Sequence, residues 1–442
     1  MERHKEPGAS MAEHHAMSRW VHPVNMVLGL WLATSPWSLG YTSAAMRWSD
    51  AITGVIVVGL AALAIHRPWA GYANAFTGLW LLFAPLVFWA PDAAAYANDT
   101  LVGALVIAFT LLIPHGMPMA GPDIPPGWTY NPSSWPQRAI IIALGLVGFL
   151  ISRYLAAYQL GYVPHAWDPF FGEGTVRILD SDVSKAWPIS DAGLGAVAYM
   201  VEVLMGFMGD KRRWRTMPWM VTFFGVLVIP LGATSIVLVI LQPLMVGAWC
   251  TLCLVAAAAM LAMIPLTLDE VFAMVQFLQL SRRRGKSLWR TFWLGGDLPE
   301  DAKPSPGARG DAWTPAGMTW GVGPPWSLVA SIVVGTWLMF APAVFGTTGA
   351  AADSDHLVGA LVITVAAIAT AEVARPFRYV NLLFGMWLAI GPWLVGGSSV
   401  AASFNDTLAG VLLITLSLPL GAIREHYGRA DRAAAWMPFR EA

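Results

Sequence analysis

The sequence predicts an all-α, polytopic membrane protein. About twelve transmembrane helices are expected, as a central four-helix bundle between two pairs of helical hairpins. Three observations lead there. Residues of the AVILMFWYC set fill 57% of 442 positions and charged residues only 12%, about half the usual soluble share. Mean hydropathy is +0.58. Apolar runs long enough for a hydrocarbon core of about 30 Å recur along the chain, and one hairpin-sized motif recurs four times. The net charge of −1 supplies no basic field, so no nucleic-acid partner is expected.

In chain order the apolar runs are 21–40, 51–66, 73–90, 100–114, 138–158, 193–209, 218–241, 249–267, 327–345, 356–372, 379–396 and 407–423. A spanning segment must satisfy its own backbone in lipid, and these runs lack period-two alternation, so each reads as a helix. With the N-terminus inside, the inner segments collect Arg19, Arg67, Arg138, Lys211-Arg212-Arg213-Trp214-Arg215, Arg282-Arg283-Arg284, Lys286, Arg375, Arg378 and Arg424. The outer loops hold Arg47, Arg177 and Lys185. That asymmetry places both termini in the cytoplasm of a plasma (inner) membrane, with membrane lipid as the surrounding partner.

The repeat is specific. Asn25, Gly29, Trp31, Pro36, Asp50 and Gly54 recur as Asn74, Gly78, Trp80, Pro85, Asp99 and Gly103. They recur again as Ser331, Gly335, Trp337, Pro342, Asp355 and Gly359, and finally as Asn381, Gly385, Trp387, Pro392, Asp406 and Gly410. Each copy predicts a helical hairpin whose glycines let the two helices approach closely. Ser49-Asp50, Asn98-Asp99, Ser354-Asp355 and Asn405-Asp406 are expected to N-cap the returning helices. Ser35-Pro36-Trp37, inside Asn-x-x-x-Gly-x-Trp-Leu-x-x-Ser-Pro-Trp, resembles the SPW-repeat membrane hairpins, and Gly391-Pro392-Trp393 is a close variant. Ala84-Pro85-Leu86 and Ala341-Pro342-Ala343 keep only the proline. That resemblance implies a membrane hairpin and no particular activity.

The expected organisation is a disordered cytoplasmic tail over 1–18, hairpins over 19–115, the bundle over 138–290, a cytoplasmic linker over 291–325, hairpins over 326–424 and a tail over 425–442. Residues 115–137 and 285–326, rich in Gly and Pro, read as connections.

One constellation carries chemistry. Cys250 and Cys253 are the only cysteines, which excludes a Cys-rich zinc site or an iron–sulfur cluster and leaves no metal expected. They open a predicted helix at the outer face, three residues apart. Such a pair can close a small disulfide ring, and the helix dipole favours thiolate at Cys250, expected to be the more exposed of the two. Packing of two small buried residues is the alternative.

The neighbourhood sharpens this. Val176-Arg177-Ile178-Leu179-Asp180-Ser181 is followed by Trp187-Pro188-Ile189, then Gly195-Ala196-Val197-Ala198-Tyr199, then Trp249-Cys250-Thr251-Leu252-Cys253. Together with the four-helix pattern, this resembles the vitamin K epoxide reductase family. The resemblance implies that Cys250 and Cys253 form the redox centre meeting a lipid-soluble quinone, the electron acceptor, and that Ser181 matches a loop serine. Asp191 or Ser190 falls near the quinone-facing polar residue, and Tyr199 and Trp249 flank the substrate side. Family members usually carry a second cysteine pair in the outer loop. Here Thr175 stands about where one should be, so electrons would come directly from an extracytoplasmic thiol–disulfide protein. Trp167, Pro169, Phe170 and Phe171 are expected on the membrane surface, with a lid over the thiols as the alternative. A non-catalytic membrane scaffold or binding module is the competing function, and a transporter is a third.

Overall fold

The computed structural model describes residues 20–67, 69–111, 119, 121–299, 302–428 and 431. The expected tail over 1–18 and most of the tail after 428 lie outside the described residues. We number the long helices α1 (Val21–Ser38), α2 (Ala44–Ala64), α3 (Trp69–Val87), α4 (Ala93–Leu111), α5 (Trp135–Gln159), α6 (Asp191–Phe207), α7 (Pro218–Leu241), α8 (Thr251–Arg283), α9 (Trp326–Phe345), α10 (Ala350–Ile368), α11 (Val380–Ile390) and α12 (Val400–Ser417). The protein is an all-α polytopic membrane protein. Among the described residues nine helices are long and apolar enough to span, or ten if Gly174–Ala186 and Asp191–Phe207, bent by 85°, count as one. The expected twelve is not reached on length and hydropathy. α1, α6 and α11 fall short, and α11 gives way to a 3-10 turn at Gly391–Trp393.

The chain forms two compact units. One holds the described residues before 118 together with Phe149–Trp167 and Leu179–Met208. The other holds Asp168–Ile178 and the described residues of 118–148 and 209–442.

The repeat motif explains each hairpin. At Gly29 a Cβ would lie 2.7 Å from the Gly54 carbonyl oxygen, and at Gly54 it would lie 2.5 Å from that of Gly29. Gly78 with Gly103, Gly335 with Gly359 and Gly385 with Gly410 repeat this backbone-to-backbone contact. Any side chain at these positions would force the helices apart.

The repeat tryptophans are exchanged between copies. Trp31 donates its indole N–H to Asn98 Oδ1 at 2.9 Å, and Trp80 donates to Ser49 Oγ at 3.3 Å. In the second pair Trp337 donates to Asn405 Oδ1 and Trp387 to Ser354 Oγ, both at 2.9 Å. Each hairpin therefore satisfies its partner's indole.

This corrects the capping expectation. Ser49, Asn98, Ser354 and Asn405 accept indole hydrogens, and Asp50, Asp99, Asp355 and Asp406 are buried within α2, α4, α10 and α12. The returning helices start four to six residues earlier, so the polar pair falls inside them. Ser43 caps α2 by accepting from Met46 N–H at 3.3 Å, and Ser399 caps α12 by accepting from Ala402 N–H at 3.2 Å.

The connections read as linkers are packed. Gly127 N–H donates to the Lys303 carbonyl, Ser305 N–H to that of Trp128 and Arg309 N–H to that of Thr129. Trp128, Tyr130, Trp214, Phe277 and Tyr427 form one buried cluster there. Arg213 makes a bidentate pair with Glu270, at 2.5 and 2.6 Å, with both side chains buried. Tyr130 donates to Asp269 Oδ2 at 2.6 Å. Basic residues that the charge count treated as topology markers are among the most buried here. Arg138 donates to the Gly209 carbonyl, Arg215 to Gly121, Arg375 to Gly323, and Arg378 to Leu418 and Pro419. A buried guanidinium needs such acceptors, and backbone carbonyls supply them.

Candidate functional site

The site lies at the start of α8. After Leu241 the helix α7 widens into a π turn over Gln242–Val246, and Gly247 adopts the left-handed conformation, with φ 62°. The chain then runs extended into Cys250, whose φ of −117° and ψ of 110° make it the N-cap of α8. Its sulfur takes the capping role usual for a serine hydroxyl, accepting the Cys253 N–H at 3.1 Å. The two sulfurs are paired as a disulfide, and the Cα atoms are 5.3 Å apart, a separation that a disulfide spans. Buried Gln242 accepts the Cys250 N–H through Oε1 at 3.0 Å, which fixes the approach to the helix.

Cys250 is fully buried and Cys253 half-buried. The sequence-based expectation that Cys250 is the more exposed is overturned: it stands between two residues that the segment 168–178 touches. Both peptide neighbours of Cys250 are touched. The Trp249 carbonyl meets Gly174 so closely that a Cβ at 174 would stand 2.0 Å from the oxygen. On the other side the Asp168 carboxylate accepts the Thr251 N–H at 3.2 Å and the Thr251 hydroxyl at 2.5 Å. The same carboxylate accepts from the Thr175 hydroxyl at 2.7 Å and from the N–H groups of Phe170 and Phe171 at 3.1 and 2.9 Å. Burial alone would raise its pKa. The hydrogen bonds from Thr251, Phe171, Thr175 and Phe170 outweigh burial and hold the carboxyl well below the usual carboxylate range.

The aromatic residues of this loop differ in exposure. Phe170 is 79% exposed. Phe171 turns inward, its ring 6.4 Å from those of Trp249 and Phe340. Trp249 also packs on Phe340 at 5.3 Å and edge-on to His356 at 5.7 Å. Phe340 belongs to α9 and His356 to α10, so the second pair of hairpins meets the cysteine turn directly. Leu254 and Ala257 of α8 join Met339, Ala360 and Ile363 in the same apolar cluster.

The remaining sequence-predicted residues lie in the other unit. Ser181 Oγ accepts the Ser184 N–H at 3.4 Å within a local turn. Asp191 is fully engaged, accepting from Gln159 Nε2 at 2.6 Å, the Ala192 N–H at 2.7 Å and the Ser184 hydroxyl at 2.8 Å. Ser190 caps α6 by accepting the Gly193 N–H at 2.9 Å. Tyr199 is buried within α6. A cleft of about 460 Å³ in this unit is lined by Gln159, Ser184, Trp187 and Ser190, with Tyr158 and Trp89. The structure thus brings Trp249, Cys250 and Cys253 together, joins Ser181 to Asp191 through Ser184, and buries Tyr199 within α6.

Sequence reasoning missed Asp168 and Gln242. Asp168-Pro169 is a recognisable turn signal, and the Asp168 bonds to Phe170 and Phe171 N–H are the turn it announces. Its bond to Thr251, 83 residues away, leaves no local trace.

Neither a curated protein nor a solved structure matches the chain. Residues 139–268 match the Vitamin K epoxide reductase family, and residues 19–113 and 325–419 match the SPW repeat domain. The chain therefore carries a vitamin K epoxide reductase family domain set between two SPW repeat domains.

Proposed function

We propose that the protein is a membrane thiol–disulfide oxidoreductase that passes electrons from the Cys250/Cys253 dithiol to a lipid-soluble quinone. The observation that carries this reading is a bonded cysteine pair at the N-cap of a membrane helix, within the segment that matches the family. In the forward half-reaction the two thiols give two electrons and two protons to the quinone. The quinol leaves and the Cys250–Cys253 disulfide remains. In the return half-reaction a thiolate of an extracytoplasmic dithiol protein attacks the disulfide and forms a mixed disulfide. The partner's second thiol resolves it, restoring both thiols. Trp249 walls the cysteine turn and is the residue we assign to the substrate side. The protein sits in the plasma (inner) membrane with both termini cytoplasmic and the cysteines outward.

The test uses the full chain in lipid nanodiscs, with dithiothreitol and a short-chain quinone. Quinol formation should fall to the uncatalysed rate in Cys250→Ala and in Cys253→Ala. Equal rates in parent and variants eliminate the reading. Impermeant maleimide applied to intact, reduced cells should label the pair from outside, and exclusive labelling from inside reverses the orientation. The competing reading, a non-catalytic scaffold, is favoured by Thr175 at the place of a loop cysteine. A disulfide that never cycles under these conditions establishes it.

A further inference from the structure

The proposed reaction requires a partner thiol to reach the disulfide, yet Cys250 is fully covered. The segment 168–175 touches both peptide neighbours of Cys250 and is attached to them differently on the two sides. On the Trp249 side Gly174 meets a carbonyl and Phe171 an indole, and just past the segment Arg177 donates to the Val246 carbonyl at 3.4 Å. On the Thr251 side it is polar, through one carboxylate. Asp168 gathers three donors from its own loop, the N–H groups of Phe170 and Phe171 and the buried Thr175 hydroxyl. It reaches across with the rest of its capacity to the Thr251 N–H and hydroxyl. The Thr251 N–H is one of the first-turn donors that a helix leaves unpaired, so the carboxylate meets both a free donor and the positive end of the α8 dipole. Thr175 stands where a loop cysteine is expected, and Thr251 lies between the two cysteines of the pair. A bridge of hydroxyl, carboxylate and hydroxyl thus joins the loop to the redox helix where no sulfur is available to do so.

We propose that Asp168, with Thr175 and Thr251, is a latch that fastens the 168–175 loop over Cys250 and sets the access of partner thiols to the disulfide. This rests on the oxidoreductase reading for its purpose, though not for its measurement. Asp168 is a positioning residue. It touches neither sulfur and acts by holding the loop. Releasing the two bonds to Thr251 frees the polar side of the cover, and the remaining contacts around Gly174 and Phe171 then act as the hinge side.

The experiment measures how fast the Cys250–Cys253 disulfide of the full chain in nanodiscs is reduced by tris(2-carboxyethyl)phosphine, read as the mass shift on alkylation. Asp168→Ala should accelerate reduction by at least about tenfold, because charge-assisted hydrogen bonds are the stronger class. Thr251→Val, which removes one donor, should accelerate it about threefold to tenfold. Thr251→Ser, which restores the hydroxyl, should return the parent rate. Rescue by serine separates a hydrogen-bonded latch from simple packing of the threonine. Unchanged rates in Asp168→Ala and Thr251→Val overturn the latch, and so does equal acceleration by valine and serine at 251. If Asp168→Ala fails to fold by thermal unfolding, the two Thr251 variants carry the decision. Quinol formation is followed on the same samples. The expected rate pattern without quinone reduction sinks the oxidoreductase reading and leaves the latch standing. Quinone reduction with unchanged reduction rates does the reverse.

Discussion

Gly174→Ala is the sharpest single perturbation of the cover. The new Cβ would stand 2.0 Å from the Trp249 carbonyl oxygen, 3.1 Å from Phe171 Cβ and 3.2 Å from the Trp249 carbonyl carbon. Gly174 opens the short helix Gly174–Leu179 and is not among the glycines with positive φ, so alanine meets no backbone strain and the effect is steric. Ordinary contact needs roughly 3.2 Å or more, so the loop must retreat by about 1.2 Å. Both partners at the contact are backbone, which cannot rotate away. A retreat of that size takes the 3.2 Å Asp168–Thr251 N–H bond out of range and stretches the hydroxyl bond beyond about 3.5 Å. Losing two partly exposed charge-assisted bonds costs roughly 1.5–2.7 kcal/mol in all, or about a 10- to 100-fold rise in the open population. Amide hydrogen exchange over 168–178 reads that population directly, and alkylation of Cys250 after reduction gives a second readout. Exchange in this segment should accelerate by that factor while α9 to α12 stay protected. If exchange over 168–178 changes by less than about twofold, the loop does not depend on this contact and the reasoning fails.

Three further outcomes follow from the same geometry. Glu270→Gln leaves the buried Arg213 guanidinium without its bidentate partner and should cost about 3–5 kcal/mol; a loss below about 1 kcal/mol in denaturant unfolding would mean other groups compensate that charge. Trp387→Phe removes the 2.9 Å indole bond to Ser354 and should cost about 1 kcal/mol, with Ser354→Ala adding little on top of it in a double-mutant cycle; full additivity contradicts the exchanged-indole account. The Asp168 carboxyl is held below its ordinary value of 3.8, so its contribution is complete above that value and is lost as pH falls through the lower folded one. Protection of Cys250 from phosphine should therefore be level from about pH 8 to pH 5 and decline only below about pH 4. A decline between pH 7 and pH 5 would assign the latch to another group.

Part of this molecule was written in single residues. The repeated Gly29/Gly54 spacing announced a helix contact because no other side chain allows two backbones to meet, and all four copies make it. Cys250 and Cys253 announced a sulfur pair because three residues on a helix start bring two side chains to one place. Helix membership of the repeat aspartates was misread, since a Ser-Asp or Asn-Asp pair looks the same at a cap and inside a helix whose neighbour offers an indole. The basic residues of the connections were read as charge alone. Whether a guanidinium is solvated or buried against carbonyls depends on chain segments far away, as with Arg378 against Leu418.

Composition, periodicity and spacing by themselves determined a helical membrane protein, four hairpins and one chemically capable cysteine pair. These depend on interactions within a few turns of helix, and a local pattern encodes them. The burial of Cys250, the seat of Trp249 against Phe340 and His356, and the reach of Asp168 to Thr251 were decided by tertiary structure alone. Each joins residues many turns apart in sequence, where the energy comes from who is brought near and not from what stands beside them in the chain.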